Sequence, residues 1–309
     1  MLGLCCQYIE FQVNRNGKGD FVNIVDEKGL QYNQFLKGKY PIKQIEETWV
    51  KNAIGLLSIL KRVNSEGIKL FRVSSNVFPL YDSLPEQLNK CQQVKAVLAE
   101  AGKFIIENNM RVTSHPDQFV VLSSNKPDVI QKSIRMLDHH AWIFDQMNLP
   151  ISTYYAINIH GGTKGNTSLL VNSIKSLQPS TKGRLTLEND ELSYNVNDLY
   201  KVYEETGVPI LWDSHHHTFN DAGLSLEEAL SKIKTTWGAI KPVTHLSNTD
   251  PSVVSGSFTE RRKHSDYVHY FPECQLNANN NNEIDVEMEF KMKNLAIFKA
   301  TKQFNVKIS

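Results

Sequence analysis

Ile210-Leu211-Trp212-Asp213-Ser214-His215-His216-His217 is an apolar run of strand length that ends on an acid and crowds three imidazoles into the next turn. A carboxylate at a strand tip, with a histidine three residues on, can reach two neighbouring metal ions. Three consecutive histidines cannot all point the same way, so His215 and His217 either support the ligands or pack. The same arrangement recurs along the chain. Val112-Thr113-Ser114 runs into His115, Ala156-Ile157-Asn158-Ile159 into His160, and Leu185-Thr186-Leu187 into Glu188. Pro242-Val243-Thr244 runs into His245, and the stretch from Ile284 to Met288 into Glu289. Endings that repeat in one register mean that several strands aim imidazoles and carboxylates at one place. Together these groups are the ligand set of Zn²⁺, Mn²⁺ and Fe²⁺ sites. A barrel whose strand ends converge on one face is the architecture that gathers them.

The surrounding chain supports that architecture. Strands are predicted at Leu2–Cys6, Leu70–Ser74, Arg111–His115, Tyr154–His160, Arg184–Glu188, Pro209–Asp213, Pro242–Leu246 and Ile284–Phe290. Helical spacing of apolar residues fills the gaps between them, at Ile45–Val63, Leu88–Glu107 and Asp128–Met147. Two shorter helices are predicted, Asn197–Thr206 with Asn197 as its cap and Ser225–Trp237 opening on a Ser225/Glu228 capping box. The asparagine-rich run from Asn277 to Asn282 and the stretch from Asn14 to Asp20 read as loops. Alternating strands and helices across 309 residues predict a (β/α)₈ TIM barrel of α/β class forming a single domain, residues 1–309.

Composition sets limits on function. Thirty-four basic residues against thirty-three acidic ones leave a net charge of +1, so any basic surface must be local. No apolar run approaches a membrane span and no charged leader precedes one, so a soluble, cytoplasmic protein is expected. Cys5, Cys6, Cys91 and Cys274 have no CxxC spacing and read as reduced thiols.

Around the strand tips, Pro116 forbids the ladder from continuing past His115 and places Gln118 and Phe119 on the loop beyond. A lone histidine is most often a hydrogen-bonded structural residue, and a phenylalanine is as often core. The neighbouring His160, followed by Gly161-Gly162, shifts both readings towards a site. Glu188 ends an apolar alternation and so points inward, where a carboxylate is costly unless paired or coordinated. Arg261-Arg262-Lys263 precedes His264. That triplet is either a solvated loop or a hold on a phosphate backbone.

His115-Pro116-Asp117-Gln118-Phe119, Asn158-Ile159-His160-Gly161-Gly162, Leu187-Glu188-Asn189-Asp190, the Asp213-to-His217 run, His245-Leu246-Ser247, His264-Ser265-Asp266 and Asp285 to Lys291 together resemble the UV damage endonucleases. These are barrel enzymes similar in fold and metal site to the apurinic endonucleases of the endonuclease-four type. The resemblance implies two or three divalent ions, commonly Mn²⁺, with Zn²⁺, Mg²⁺ and Co²⁺ as alternatives. It implies nicking of damaged double-stranded DNA on the 5′ side of a pyrimidine dimer by a monomer. On the family pattern His115, His160 and Glu188 hold one ion, while Glu188, Asp213, His245 and Glu289 hold a second. His216 and His264 hold the third, and Glu188, Asp213 and Glu289 are the catalytic carboxylates. Gln118 and Phe119 match the pair inserted at the lesion, where many members carry Gln-Tyr. Two positions depart from the pattern. Some relatives carry a modified lysine two residues before the histidine that matches His245. Here that residue is Val243, and Lys241 is the nearest lysine. Leu4, Cys5 and Cys6 occupy the first strand, where the family has a tyrosine, and Tyr8 is the nearest tyrosine.

The implied chemistry is consistent with the residues. Metal ions about 3.5–4 Å apart neutralise phosphoryl charge and lower the pKa of bound water from about 15.7 to about 7, so no separate protein nucleophile is needed. A dimer pairs and stacks poorly and costs less to extrude than normal bases, and a polar-aromatic wedge could fill the gap. Three other readings share much of this pattern: a divalent-metal sugar isomerase or epimerase, an abasic-site endonuclease, and a non-catalytic damage-binding protein.

Overall fold

The computed structural model describes residues 1–13, 16–25 and 27–309. Its strands are β1 (Leu2–Cys5), β2 (Ile9–Val13), β3 (Gly19–Asn23), β4 (Leu70–Val73), β5 (Arg111–Ser114), β6 (Ile157–His160), β7 (Leu185–Glu188), β8 (Ile210–Asp213), β9 (Val243–Leu246) and β10 (Asp285–Met288). Eight of them close a parallel barrel in the order β1-β10-β9-β8-β7-β6-β5-β4, with β4 returning to pair with β1. These are the eight strands expected from the sequence, each trimmed by a residue or more at its ends. Alternation explains the trimmed cores. On β6 and β7, Ile157, Ile159, Leu185 and Leu187 are buried on the outer face, while Asn158, Thr186 and Glu188 hydrogen-bond to one another inside. Outside, helix Ile42–Ser65 buries Ile45, Trp49, Ala53, Leu56, Leu60 and Val63, one stripe at helical spacing.

Four local expectations are corrected. The hydrophobic run at Leu88–Glu107 is two helices, Pro85–Lys90 and Gln92–Glu107, broken at Cys91, whose backbone is extended. Asn195, not Asn197, caps helix Val196–Thr206, its side chain accepting from Asp198 N. The asparagine-rich run is largely helical (Glu273–Asn280), and buried polar side chains hold it. Gln275 donates to the His245 carbonyl at 3.0 Å, and Asn279 donates to the Met1 carbonyl at 3.1 Å. Of the loop expected at Asn14–Asp20, Asn14 and Arg15 lie outside the described residues, and Gly19 and Asp20 begin β3. β2 and β3 form an antiparallel hairpin that follows β1, where a helix would ordinarily lie. Asn294 fastens it, bonding both the amide and the carbonyl of Ile9. Among the described residues no helix is long and apolar enough to cross a membrane.

The barrel interior is charged. At its N-terminal end Asp285 accepts from Arg111 at 2.9 Å, from the Met1 amino group at 2.9 Å and from Lys241 at 2.7 Å. One level up, Glu287 of β10 receives Arg72 of β4 and Thr113 of β5 across the barrel. Burial raises the Asp285 carboxyl, but Arg111, the amino group and Lys241 outweigh it and hold it below the usual carboxylate range. Asp285→Asn keeps the shape and strands a guanidinium with no exposed surface, so it should cost about 3–5 kcal/mol in urea unfolding. Because the folded pKa is depressed, the wild-type advantage is present above about pH 4 and fades as pH falls through the folded value. Equal stability of the variant and the wild type at neutral pH would refute that role.

Candidate metal centre

Three overlapping groups of ligand atoms form at the C-terminal strand ends: His115 with His160 and Glu188, Glu188 with Asp213 and His216, and Asp213 with His245 and Glu289. Within each group the ligand atoms lie within 4.8 Å of one another. Strand register creates this, since His160 is level with Glu188 and Asp213 with His245. Glu188 sits at the centre, one oxygen 3.0 Å from His115 Nε2 and the other 3.0 Å from His245 Nδ1. The Pro116 turn fixes His115, whose Nδ1 donates to the Pro116 carbonyl at 2.9 Å and leaves Nε2 facing the cluster.

Asp213 ends β8 and caps the single helical turn Ser214–His217, its Oδ1 accepting from His216 N at 2.8 Å. That turn separates the three histidines. His216 faces the cluster, 3.4 Å from Glu188, while His217 Nε2 donates to the Leu224 carbonyl. His215 packs edge-on against Phe219 and His264. The second oxygen of Asp213 and Nδ1 of His160 are buried and have no hydrogen-bond partner. Such atoms are costly in a folded interior unless a ligand satisfies them. A carboxylate–imidazole set that holds an unpaired Asp213 oxygen suits a divalent cation.

Charge points the same way. Glu188, Asp213 and Glu287 are buried, and Glu289 nearly so, with one guanidinium, Arg72, whose Nη1 pairs with Glu289. Burial disfavours the imidazolium of His245, but Glu188 and Glu289 outweigh it and raise its pKa to about 10. Against the same burial, Asp213 and Glu188 hold His216 well above the ordinary histidine value. Glu188 itself is driven up by burial and further down by His245 and His160, so it stays ionised. The cluster is short of positive charge.

The other expected residues fall around this centre. His264, about a third exposed, lies 3.6 Å from Glu289 and outside the three groups. Gln118 and Phe119 line the same cleft, of about 710 Å³, and Phe119 is 70% exposed. Arg262 is committed to Glu191 at 2.5 Å, and Arg261 lies over the Phe219 ring. Lys263 is exposed, and Asp266 pairs with Lys291 at 3.7 Å. Lys241 sits at the opposite end of the barrel on Asp285, remote from the cluster. Tyr8 is buried beneath Arg62, and Cys6 and Gln7 line the cleft in its place. Sequence reading passed over Arg72, Glu287, Asn158 and Glu191, whose side chains all touch the ligands. The signal was available for two of them: Arg72 interrupts the apolar Leu70–Val73 strand, and Asp285, Glu287 and Glu289 alternate on one face.

The model of the UV-endonuclease UvdE family matches residues 25–308. A UV DNA damage endonuclease of Nostoc sp. is 31% identical over 261 residues, 82% of this chain and 77% of that protein. One from Bacillus cereus (strain G9842) is 31% identical over 242 residues, covering 75% and 74%. The UV-damage endonuclease of Schizosaccharomyces pombe is 29% identical over 280 residues, 86% of this chain but 45% of that longer protein. Among solved structures, SacUVDE superposes with a TM-score of 0.80 at 24% identity, covering 99% of each chain. A D-psicose 3-epimerase from Clostridium cellulolyticum H10 shares the barrel at a TM-score of 0.51 and 13% identity, over 76% of this chain and 79% of that one. The family model spans the strands that carry every ligand named above, and the chain belongs to the UV-endonuclease UvdE family.

Proposed function

We propose that this chain is a divalent-metal-dependent DNA repair endonuclease that nicks the strand 5′ to UV photoproducts. The observation that carries the reading is the joined set of ligand groups, sharing Glu188 and Asp213, on the floor of an open cleft whose rim bears exposed Phe119. Relatives at 31% identity named UV DNA damage endonuclease support it. Two or three ions, Mn²⁺ foremost, would supply Lewis acidity, neutralising the scissile phosphate and making water acidic enough to attack near neutral pH. The chain's own residues set the geometry. Glu188 spans two of the groups, Asp213 offers its unpaired oxygen, and His115 and His160 present nitrogens from adjacent strand tips. Gln118 and Phe119, three and four residues beyond His115, stand where a distorted duplex would meet the cleft. Stacking and hydrogen bonding there would replace contacts the lesion has already weakened. Arg261 and Lys263 are the members of the basic triplet with no ion pair among the described residues, and they are the phosphate contacts this reading favours.

The direct test is a duplex with one defined cyclobutane dimer, incubated with Mn²⁺ and resolved on a denaturing gel beside undamaged and abasic duplexes. Cleavage immediately 5′ to the dimer is expected. Cleavage of the abasic duplex alone, or epimerisation of a ketose with no nicking, would overturn the proposal. Glu188→Gln retains shape and removes the shared charge, so Mn²⁺ binding by calorimetry and nicking should both collapse while the circular dichroism spectrum is kept. Phe119→Ala should keep the metal stoichiometry and weaken dimer binding by roughly fivefold to a hundredfold, the worth of about 1–3 kcal/mol of stacking. Binding to undamaged duplex should barely move, and Phe119→Tyr should recover most of the loss. An equal loss on damaged and undamaged DNA would remove Phe119 from lesion recognition.

A further inference from the structure

Directly beneath the ligand cluster, Arg72 and Glu287 meet inside the barrel, both buried. Glu287 Oε2 accepts from Arg72 Nε at 2.7 Å and lies 3.1 Å from His245 Nε2. Its Oε1 accepts from Thr113. Arg72 extends past this carboxylate, with Nη1 on Glu289 and Nη2 2.6 Å from the same His245 Nε2. The other nitrogen of His245, Nδ1, faces the cluster: it is 3.0 Å from Glu188, 3.3 Å from Glu289 and 3.9 Å from Asp213.

Each of the two tautomers of a neutral His245 satisfies part of these contacts and opposes the rest. With the proton on Nε2, the ring donates to Glu287, and Nδ1 offers its lone pair among three carboxylates, as a cation requires. With the proton on Nδ1, the ring donates to Glu188, Nε2 accepts from Arg72, and His245 is closed to coordination. Glu287 and Arg72 therefore compete for one nitrogen with opposite consequences. A carboxylate on the far nitrogen of a ligating histidine fixes its tautomer and orientation.

We propose that Glu287 is a positioning residue of the metal centre: it accepts from His245 Nε2 and draws Arg72 onto itself, so that Nδ1 is held ready for an ion. The pair also cancels its own charge and leaves Glu188, Asp213 and Glu289 to the ions. Buried charge pairs are costly to desolvate and often replaceable by apolar residues, so a role in ligand orientation accounts for this one better than stability does. The inference rests on the reading that the cluster holds divalent ions.

The test is Mn²⁺ calorimetry on the full chain, with the visible absorption of bound Co²⁺ as a second readout and thermal unfolding as a control. Glu287→Met removes the acceptor and frees Arg72 to donate to Nε2, so Mn²⁺ affinity should fall about 10–100-fold and the Co²⁺ spectrum should change. Glu287→Gln, whose amide oxygen still accepts, should keep more affinity than Glu287→Met. Adding Arg72→Met to Glu287→Met removes the competing donor and should recover affinity, a non-additive cycle that loss of packing would not produce. Wild-type affinity and spectrum in Glu287→Met, or losses that merely add in the double variant, would overturn the role of Glu287 and leave the metal reading intact. A wild-type chain that binds no divalent ion would overturn both.

Discussion

Burying negative charge in a closed barrel is the constraint around which this structure is arranged. β10 and the residue that follows it place Asp285, Glu287 and Glu289 at successive levels, and each level answers the cost of burial differently. At the base, Asp285 is saturated by Arg111, Lys241 and an amino group. In the middle, Glu287 is matched by one guanidinium and one hydroxyl. At the top, Glu188, Asp213 and Glu289 share one guanidinium, Arg72 on Glu289, and one Asp213 oxygen has no hydrogen-bond partner. Satisfaction thus declines along the barrel axis. The base is closed by its own ion pairs, and the upper rim, at the C-terminal strand ends where barrels carry their sites, leaves polar atoms unmatched.

The loop after β5 shows how closely two tasks can be set without interfering. Pro116 ends the strand and its carbonyl fixes the His115 ring, so the nitrogen facing the cluster is decided by one local hydrogen bond. Asp117 accepts from Ser75 and steadies the turn. Two residues on, Phe119 stands in solvent with no packing duty. A change at its tip need not disturb the rings at its base, because the proline turn absorbs the difference in direction. The basic loop is less free. Arg262 is held by Glu191, a carboxylate 3.8 Å from His216, so it is tied to the edge of the histidine–carboxylate cluster, and fewer of the triplet's cations remain free of an ion pair.

Alternation is a local property, and it made much of this protein legible from its sequence. A strand of period two commits each side chain to one face, so His160, Glu188, Asp213 and His245 were directed inward by their neighbours before any contact was known. The eight barrel strands follow from the same rule, and the strand-end histidines and acids pointed to a metal-binding face. Alternation by itself could not say which ligands meet, and their grouping came from the family resemblance alone. The grouping of Glu188 with both His115 and His245, and the distance of His264 from those groups, follow from barrel closure and the course of the loop between β9 and β10. The helix at Glu273–Asn280 runs against its asparagine-rich composition because Gln275 and Asn279 find backbone partners far away in sequence. Lys241 and Val243 differ by two positions. Yet one ends at the barrel base on Asp285, and the other is buried apolar wall. Arg72 and Glu287 are 215 residues apart, and nothing local to either residue points to the other. Only closure of the barrel placed them on the same histidine, because non-local contacts depend on stagger and tilt, which no local pattern encodes.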